Sequence, residues 1–193
     1  MLLFIDTETG GLNPDKHSLL QVAMQLYDGE NEHEPFTLFI KHEEYVVTEE
    51  AMRINGLSLS DINKYGFTPT EAVSQILSWI REMDLMKEKP TLAGHNIHFD
   101  RRFLQKLFRD GSCDLDNFFS YRTLDTASVI RFLKDAEILP ADFPDGLHDA
   151  AKALGIRVVD AHTAIGDVRV NIQLYKRLKQ LVRGEFQWEE CLP

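Results

Sequence analysis

The sequence predicts an α/β protein in which a central mixed sheet is flanked by helices, and three observations carry that prediction. Three apolar, strand-like segments near the amino terminus are joined by turn-rich links, the apolar periodicity becomes helical after residue 48, and beyond residue 90 short strands alternate with helices. A meander followed by alternating strands and helices gives a sheet that is partly antiparallel, partly parallel and covered by helices. With 193 residues, 44% hydrophobic and 27% charged, the chain can bury one good core. Residues 1–183 are expected to form a single domain. Residues 184–193 are expected to form a short tail whose Phe186 and Trp188 fold back on the core.

The elements follow in order. Leu2 to Ile5 is a continuous apolar run, and Leu19 to Tyr27 and Phe36 to Ile40 complete the meander. Thr48-Glu49-Glu50 has the form of a helix start. Thr68-Pro69-Thr70-Glu71 combines a capping residue, a proline at the first helical position and a glutamate three residues past the cap, and Ala72, Val73, Ile76, Leu77 and Ile80 continue at helical spacing. Thr91 to Gly94 reads as a short strand after Pro90. Phe99 to Phe108 reads as a helix with Phe103, Leu104, Leu107 and Phe108 on one side, and Tyr121 to Leu124 as another strand. Helices are predicted over Thr126 to Lys134, Leu147 to Leu154 and Thr163 to Arg183, with no repeat, low-complexity run or linker between them.

Composition narrows the function classes. Cys113 and Cys191 are too few for a disulfide framework and sit in no Cys/His metal pattern, which points to a reducing cytoplasm. Met1 to Ile5 runs into Asp6 with neither a basic leader nor a cleavage site, so no signal peptide is expected, and no stretch approaches the ~20 apolar residues of a membrane span. Lysine and arginine total 21 against 31 acidic residues, a net charge of -10, the wrong sign for clamping long nucleic acid through counterion release. Any action on nucleic acid is therefore expected to be weakly held, end-directed and non-processive.

Chemistry concentrates in three segments. In Leu2-Leu3-Phe4-Ile5-Asp6-Thr7-Glu8-Thr9-Gly10-Gly11-Leu12, Asp6 and Glu8 are two apart at the carboxyl end of an apolar strand, so they project to one side, where open sheets place ligands. Carboxylates that close repel unless a cation lies between them, and hard oxygen donors without thiolates select magnesium or manganese. Gly94-His95-Asn96-Ile97-His98-Phe99-Asp100 puts Asp100 in or near the first turn of a helix. Ala161-His162-Thr163-Ala164-Ile165-Gly166-Asp167-Val168 puts His162 before a long helix and Asp167 about one turn inside it. An imidazole, with an ordinary pKa of ~6.5, suits proton abstraction from water at neutral pH. Each residue also has a plain structural reading. Asp6 and Glu8 can cap the turn at Gly10-Gly11, Asp100 can complement a helix dipole, Asn96 can form a turn, Phe99 can fill core, and His95, His98 and His162 can be structural or solvated. As a set, four carboxylates and one histidine argue for two divalent cations and a nuclease.

Together FIDTETGGL, GHNIHFD and AHTAIGD resemble the three motifs of the DEDDh family of 3′-5′ exonucleases, the DnaQ-like enzymes. Glu49 to Leu57 resembles the family's helix leading to a glycine turn, so the resemblance reaches to about Arg183. It implies a ribonuclease H-like fold, a central five-stranded mixed sheet with helices around it, and hydrolysis with two divalent cations, Mg2+ or Mn2+. By the same resemblance Asp6, Glu8 and Asp167 would hold the cation that activates water, Asp6 and Asp100 the second, and His162 would deprotonate the water. Leu12 would wedge against the terminal bases, the backbone at Thr7 would approach the terminal 3′-hydroxyl, and Asn96 and Phe99 would line the cleft. Gly10 stands where the family usually has a second threonine, which implies a looser turn after Glu8.

The partners so implied are 3′ ends of single-stranded DNA or RNA, with DNA favoured, and a DNA polymerase in a proofreading or repair role. Three alternatives stay open. One is an exoribonuclease of the same family; another is a catalytically silent nucleic-acid-binding or polymerase-associated module. The third is a phosphatase using Asp6 as covalent nucleophile, which leaves Asn96 to Asp100 unexplained and lacks a clearly placed lysine. Arg101, Arg102, Lys106 and Arg109, with Arg169, Lys176, Arg177, Lys179 and Arg183, form either a positive rim for phosphates or a solvated helix face.

Overall fold

Alternation along the first strand decides the layers of the molecule. In a computed structural model that describes residues 1–186, strand β1 (Leu2–Thr9) sends Leu3 and Ile5 into one apolar cluster and Phe4 into another on the opposite face. β2 (Leu19–Tyr27) pairs antiparallel with β1, and β3 (Phe36–Phe39) antiparallel with β2, as the meander predicts. β4 (Thr91–Gly94) runs parallel to β1, and β5 (Thr123–Asp125) parallel to β4. The order is β3-β2-β1-β4-β5, a mixed five-stranded sheet. Because β1, β4 and β5 run the same way, their carboxyl ends share one edge.

β1 continues beyond the apolar run that announces it. Asp6, Thr7 and Glu8 stay in the ladder opposite Ala23, Val22 and Gln21, and the register slips between Glu8 and Thr9. Such an irregularity re-aims the side chains beside it, here at the end of the acidic pair. β5 lies slightly later than the Tyr121 to Leu124 expectation, with Asp125 as its last residue and the cap of the next helix.

Among the described residues seven α-helices enclose the sheet: α1 (Glu49–Asn55), α2 (Leu59–Tyr65), α3 (Pro69–Glu82), α4 (His98–Asp110), α5 (Thr126–Asp135), α6 (Leu147–Ala153) and α7 (Ala164–Val182). The capping box read at Thr68 and Glu71 forms, with Pro69 opening α3. α3 lays Ala72, Val73, Ile76 and Ile80, and α4 lays Phe103, Leu104, Leu107 and Phe108, against the face that carries Leu3, Ile5, Val22 and Met24. α7 covers the other face, packing Ala164, Val168 and Ile172 on Phe4, Ala23 and Ala93. Its far side joins α5 and α6 through Leu174, Leu178, Ile130, Leu133 and Ala150. α2 was not legible in the sequence: it is seven residues long and buries only Ile62, too little for a periodic signal.

Phe186 packs on the α5-α6-α7 cluster with the Arg177 guanidinium 4.2 Å above its ring. Trp188 and Cys191 lie outside the described residues. Among the described residues no helix is long and apolar enough to cross a membrane.

Candidate active site

The shared carboxyl edge of β1, β4 and β5 collects the acidic residues. Asp6 and Glu8, on even positions of β1, face α7, whose first turn carries Asp167. Thr7 points the other way, and its hydroxyl donates to Asp100 Oδ1 at 2.7 Å, so the first turn of α4 is tied over the strand. Asp100 is 4% exposed. Burial pushes the Asp6 carboxyl well above the ordinary carboxylate range, and Asp100, Glu8 and Asp167 push it further in that order. Burial also pushes Glu8 up to about 7, with Asp167 and then Asp100 adding to it. Asp100 is raised by burial in spite of the Thr7 hydroxyl, which favours its ionised form.

Every charge acting on Asp6 is thus another carboxylate, and the four cannot all ionise at neutral pH without positive charge among them. An all-oxygen donor set in a partly buried pocket fits hard divalent cations of the magnesium and manganese class. The same electrostatics predicts how stability depends on pH. Glu8 has a folded pKa of about 7 against an ordinary 4.5, so its contribution is full below the lower value and is lost as pH rises through the upper one. In chelator the melting temperature should therefore fall between about pH 5 and about pH 8, by at most on the order of 3 kcal/mol of stability, reduced by the water in the cleft. Added Mg2+ should restore most of it at the higher pH. A flat profile in calorimetry with chelator would remove the repulsive cluster.

His162 stands at the lip of this cluster. Asp160 and His162 both adopt left-handed backbone, φ 54° and 63°. The Asp160 carbonyl accepts from the Thr163 amide at 3.2 Å and its hydroxyl at 2.7 Å, and a Cβ on Gly166 would come within 2.2 Å of that oxygen, so only glycine lets the loop close on α7. The closure brings the His162 amide to donate to Asp167 Oδ1 at 3.3 Å and leaves the imidazole exposed.

A second imidazole is present that sequence reasoning missed. His148, the second residue of α6, places Nε2 2.7 Å from Asp167 Oδ1, and its ring lies 4.8 Å from that of His162 at 73°. The loop before α6 is held by Lys134 Nζ, which donates to the Phe143 carbonyl at 2.7 Å and to Asp145 at 3.0 Å. His95 donates from Nε2 to the Asp145 carbonyl at 2.8 Å, while Nδ1 lies 3.1 Å from the Thr126 hydroxyl. Burial holds the His95 imidazole below its usual range, consistent with a structural brace between β4, α5 and this loop. The separation of nineteen positions from His148 to Asp167 follows no spacing rule, and only the histidine at a helix start could have flagged it.

Beside the carboxylates lies a cleft of about 270 Å³, lined by Thr7, Glu8, Leu12, Ile54, Asn55 and Phe99 among others. Leu12 stands at its lip, 81% exposed. α1 forms one wall because the Asn55 side-chain amide donates to the Thr9 carbonyl at 3.3 Å, while its oxygen accepts from the Leu57 amide at 3.0 Å. Asn96 is not among the residues lining the cleft. It turns β4 into α4 with φ 59°, its amide donating to Asp125 at 2.8 Å and its carbonyl accepting from the Phe99 amide at 2.9 Å.

The turn after Glu8 is tight where a loose one was expected. The Gly10 amide donates to the Ser18 carbonyl at 2.8 Å, and its carbonyl accepts from the Thr48 amide at 2.7 Å. A Cβ at Gly10 would sit 2.4 Å from the Val46 carbonyl oxygen. Replacing Gly10 with threonine, the residue the resemblance leads one to expect, should therefore cost ~1–3 kcal/mol and several degrees of melting temperature. An unchanged melting temperature in scanning calorimetry would show that the segment at Val46 yields freely.

Several of the basic residues have acidic neighbours. Arg101 pairs with Asp116 and Lys176 with Glu32, Lys106 meets Asp110 at 2.6 Å, and Arg109 approaches Asp15 at 3.9 Å. Lys179 lies over the rings of Tyr27 and Tyr175.

The sequence model of the exonuclease family, RNase_T, matches residues 3–175. An oligoribonuclease of Vibrio cholerae is 24% identical over 189 residues, covering 91% of this chain and 93% of its own. An oligoribonuclease of Pseudomonas putida is 28% identical over 178 residues, 89% of each chain. The fold is also that of exonuclease I from E. coli: the zinc-bound complex with single-stranded DNA superposes with a TM-score of 0.80 at 24% identity over 98% of this chain. That match spans about two fifths of the exonuclease I chain, 42% of its length.

Proposed function

This chain belongs to the exonuclease family, and from that membership we propose that it removes nucleotides singly from the 3′ end of single-stranded nucleic acid, releasing nucleoside 5′-monophosphates. The observation that carries the proposal is the convergence of Asp6, Glu8, Asp100 and Asp167, under the lip bearing His162, at one end of a partly apolar cleft. The cleft's volume of about 270 Å³ is near the lower end of the usual range for small-molecule pockets, which suits one terminal nucleotide rather than a long strand.

In this reading Asp6, Glu8 and Asp167 hold one divalent cation, and Asp6 with Asp100 a second. When bound, such a pair supplies Lewis-acid stabilisation of the attacking and leaving oxygens of an in-line displacement. His162 Nδ1 or Nε2 takes the proton of the attacking water, reaching inward from a loop whose amide is already tethered to Asp167. Thr7 holds Asp100 in place through its hydroxyl. Its backbone offers a polar contact for the terminal 3′-hydroxyl, and Leu12 with Phe99 provides apolar surface for the terminal bases. Asn96 serves by setting the entry of α4 rather than by touching the nucleotide. The net charge of -10 and the paired basic residues fit a protein that binds an end and lets go after each cut.

Two sugars are to be distinguished. Single-stranded DNA is the reading favoured by the sequence, and short RNA is favoured by the match to oligoribonucleases along nearly their whole length. Strands of each sugar labelled at the 3′ or 5′ end, incubated with Mn2+ or with chelator, test both. Metal-dependent release of mononucleotide from the 3′ end is expected, and the faster polymer identifies the sugar. No release from either polymer would overturn the assignment and favour a silent binding module, of a polymerase or otherwise.

A further inference from the structure

The exonuclease reading uses four carboxylates and one histidine and leaves His148 without a task. That side chain is only 17% exposed, it belongs to a helix other than those bearing the acids, and its Nε2 meets Asp167 at 2.7 Å. One ligand atom each from His148, His162 and Asp167 can be chosen so that all lie within 4.8 Å of one another. Two imidazole nitrogens and one carboxylate oxygen are a different donor set from the all-oxygen cluster beside them. Imidazole suits zinc and similar transition metals, whereas carboxylate alone suits magnesium and manganese.

We propose that His148, His162 and Asp167 form a separate site for a borderline divalent metal, zinc above all, which overlaps the hydrolytic centre by sharing Asp167. Zinc bonds of ~2.0–2.1 Å to nitrogen and oxygen require tetrahedral ligands to stand about 3.3 Å apart, so atoms now within 4.8 Å of one another need to close by at most about 1.5 Å. Two features make that closure easy. His162 is exposed on a short loop, and its ring already packs edge-on to that of His148. His148 is the less mobile partner, because Lys134 and His95 hold the loop that leads into its helix. Three protein ligands leave a fourth position open for water, the arrangement of a metal that exchanges.

The consequence for hydrolysis rests on the function proposed above, while the binding itself does not. Zinc in this site draws His162 inward and occupies Asp167, withdrawing the proton acceptor and one carboxylate together. Zinc ions should therefore inhibit nucleotide release in a background of excess Mg2+, by capture of the imidazoles rather than by exchange at the carboxylates.

The test reads the metal directly. Zn2+ is titrated by calorimetry, and Co2+ by visible absorption, into the metal-free parent protein, His148→Gln and His148→Ala. Glutamine keeps an amide able to donate to Asp167, which guards against a loss that merely reflects a displaced carboxylate. The parent should bind Zn2+ and give the intense visible bands of four-coordinate Co2+. Both substitutions should weaken Zn2+ binding at least about tenfold and bleach those bands. Equal Zn2+ affinity in parent and His148→Gln, or a pale octahedral Co2+ spectrum in the parent, overturns the site. Tight binding that depends on His148 but leaves hydrolysis untouched sustains the site and overturns instead the part given to His162 and Asp167 in catalysis.

Discussion

Asp6→Asn is expected to leave a folded protein that no longer hydrolyses nucleic acid. Asp6 is the one carboxylate that every other member of the cluster acts upon, and in the proposed mechanism it is shared by both cations. Losing their hold removes several kcal/mol of transition-state stabilisation, which at 1.36 kcal/mol per decade is roughly 10³-fold or more in rate. The same substitution has an opposite effect on stability. Asparagine carries no charge into a site where burial and three acids oppose ionisation, so in chelator at about pH 8 the variant should melt above the parent. Rate assays with Mn2+ and thermal melts with chelator read the two effects separately. Parent-like hydrolysis would end the metal mechanism. A lower melting temperature would show that Asp6 is needed by the fold rather than by cations.

His162→Ala should slow hydrolysis by the roughly 10²- to 10⁴-fold typical of a general base, with part of the rate returning at higher pH, where hydroxide is more abundant. The left-handed backbone at His162 complicates the substitution. Asparagine tolerates that conformation better than most residues and does not act as a base, so His162→Asn serves as the control. The two variants should be equally slow and should melt within about a degree or two of the parent, since the side chain is exposed and surface changes usually alter stability by ~0.5 kcal/mol or less. Normal rates in either variant would pass the proton acceptor's part to another group, with His148 next in line by position. Metal content must be matched between samples, because His162 also belongs to the proposed zinc site.

The sheet was legible because its strands carry strong local signals. Leu2 to Ile5, Leu19 to Tyr27 and Thr91 to Gly94 are apolar runs bounded by turns, and the Thr68 capping box announces α3 in four residues. Asp6, Glu8, Asp100, His162 and Asp167 were likewise found as short motifs at the ends of such elements. What escaped was whatever depends on distant segments meeting. α2 has one buried residue and no periodicity. Gly10 suggested slack, and only the approach of Val46 makes the turn tight. Asn96 was read from a motif, and only the fold shows its backbone amide donating to Asp125, twenty-nine residues away.

By itself the sequence determined the α/β class, the order of the elements and the identity of five candidate residues. Each of these is written in spacing over a few neighbours, through strand alternation, helix periodicity or capping. The tertiary structure alone decided the charge balance and the company those residues keep. Neighbouring carboxylates add to burial in raising Asp6 and Glu8 only because the parallel arrangement of β1, β4 and β5 puts their carboxyl ends on one edge, with α7 crossing beside it. His148 joins Asp167 and His162 only because α6 packs on α7. Coulomb interactions and metal coordination depend on separation in space over a few ångströms, a quantity that spacing along the chain does not carry across a fold.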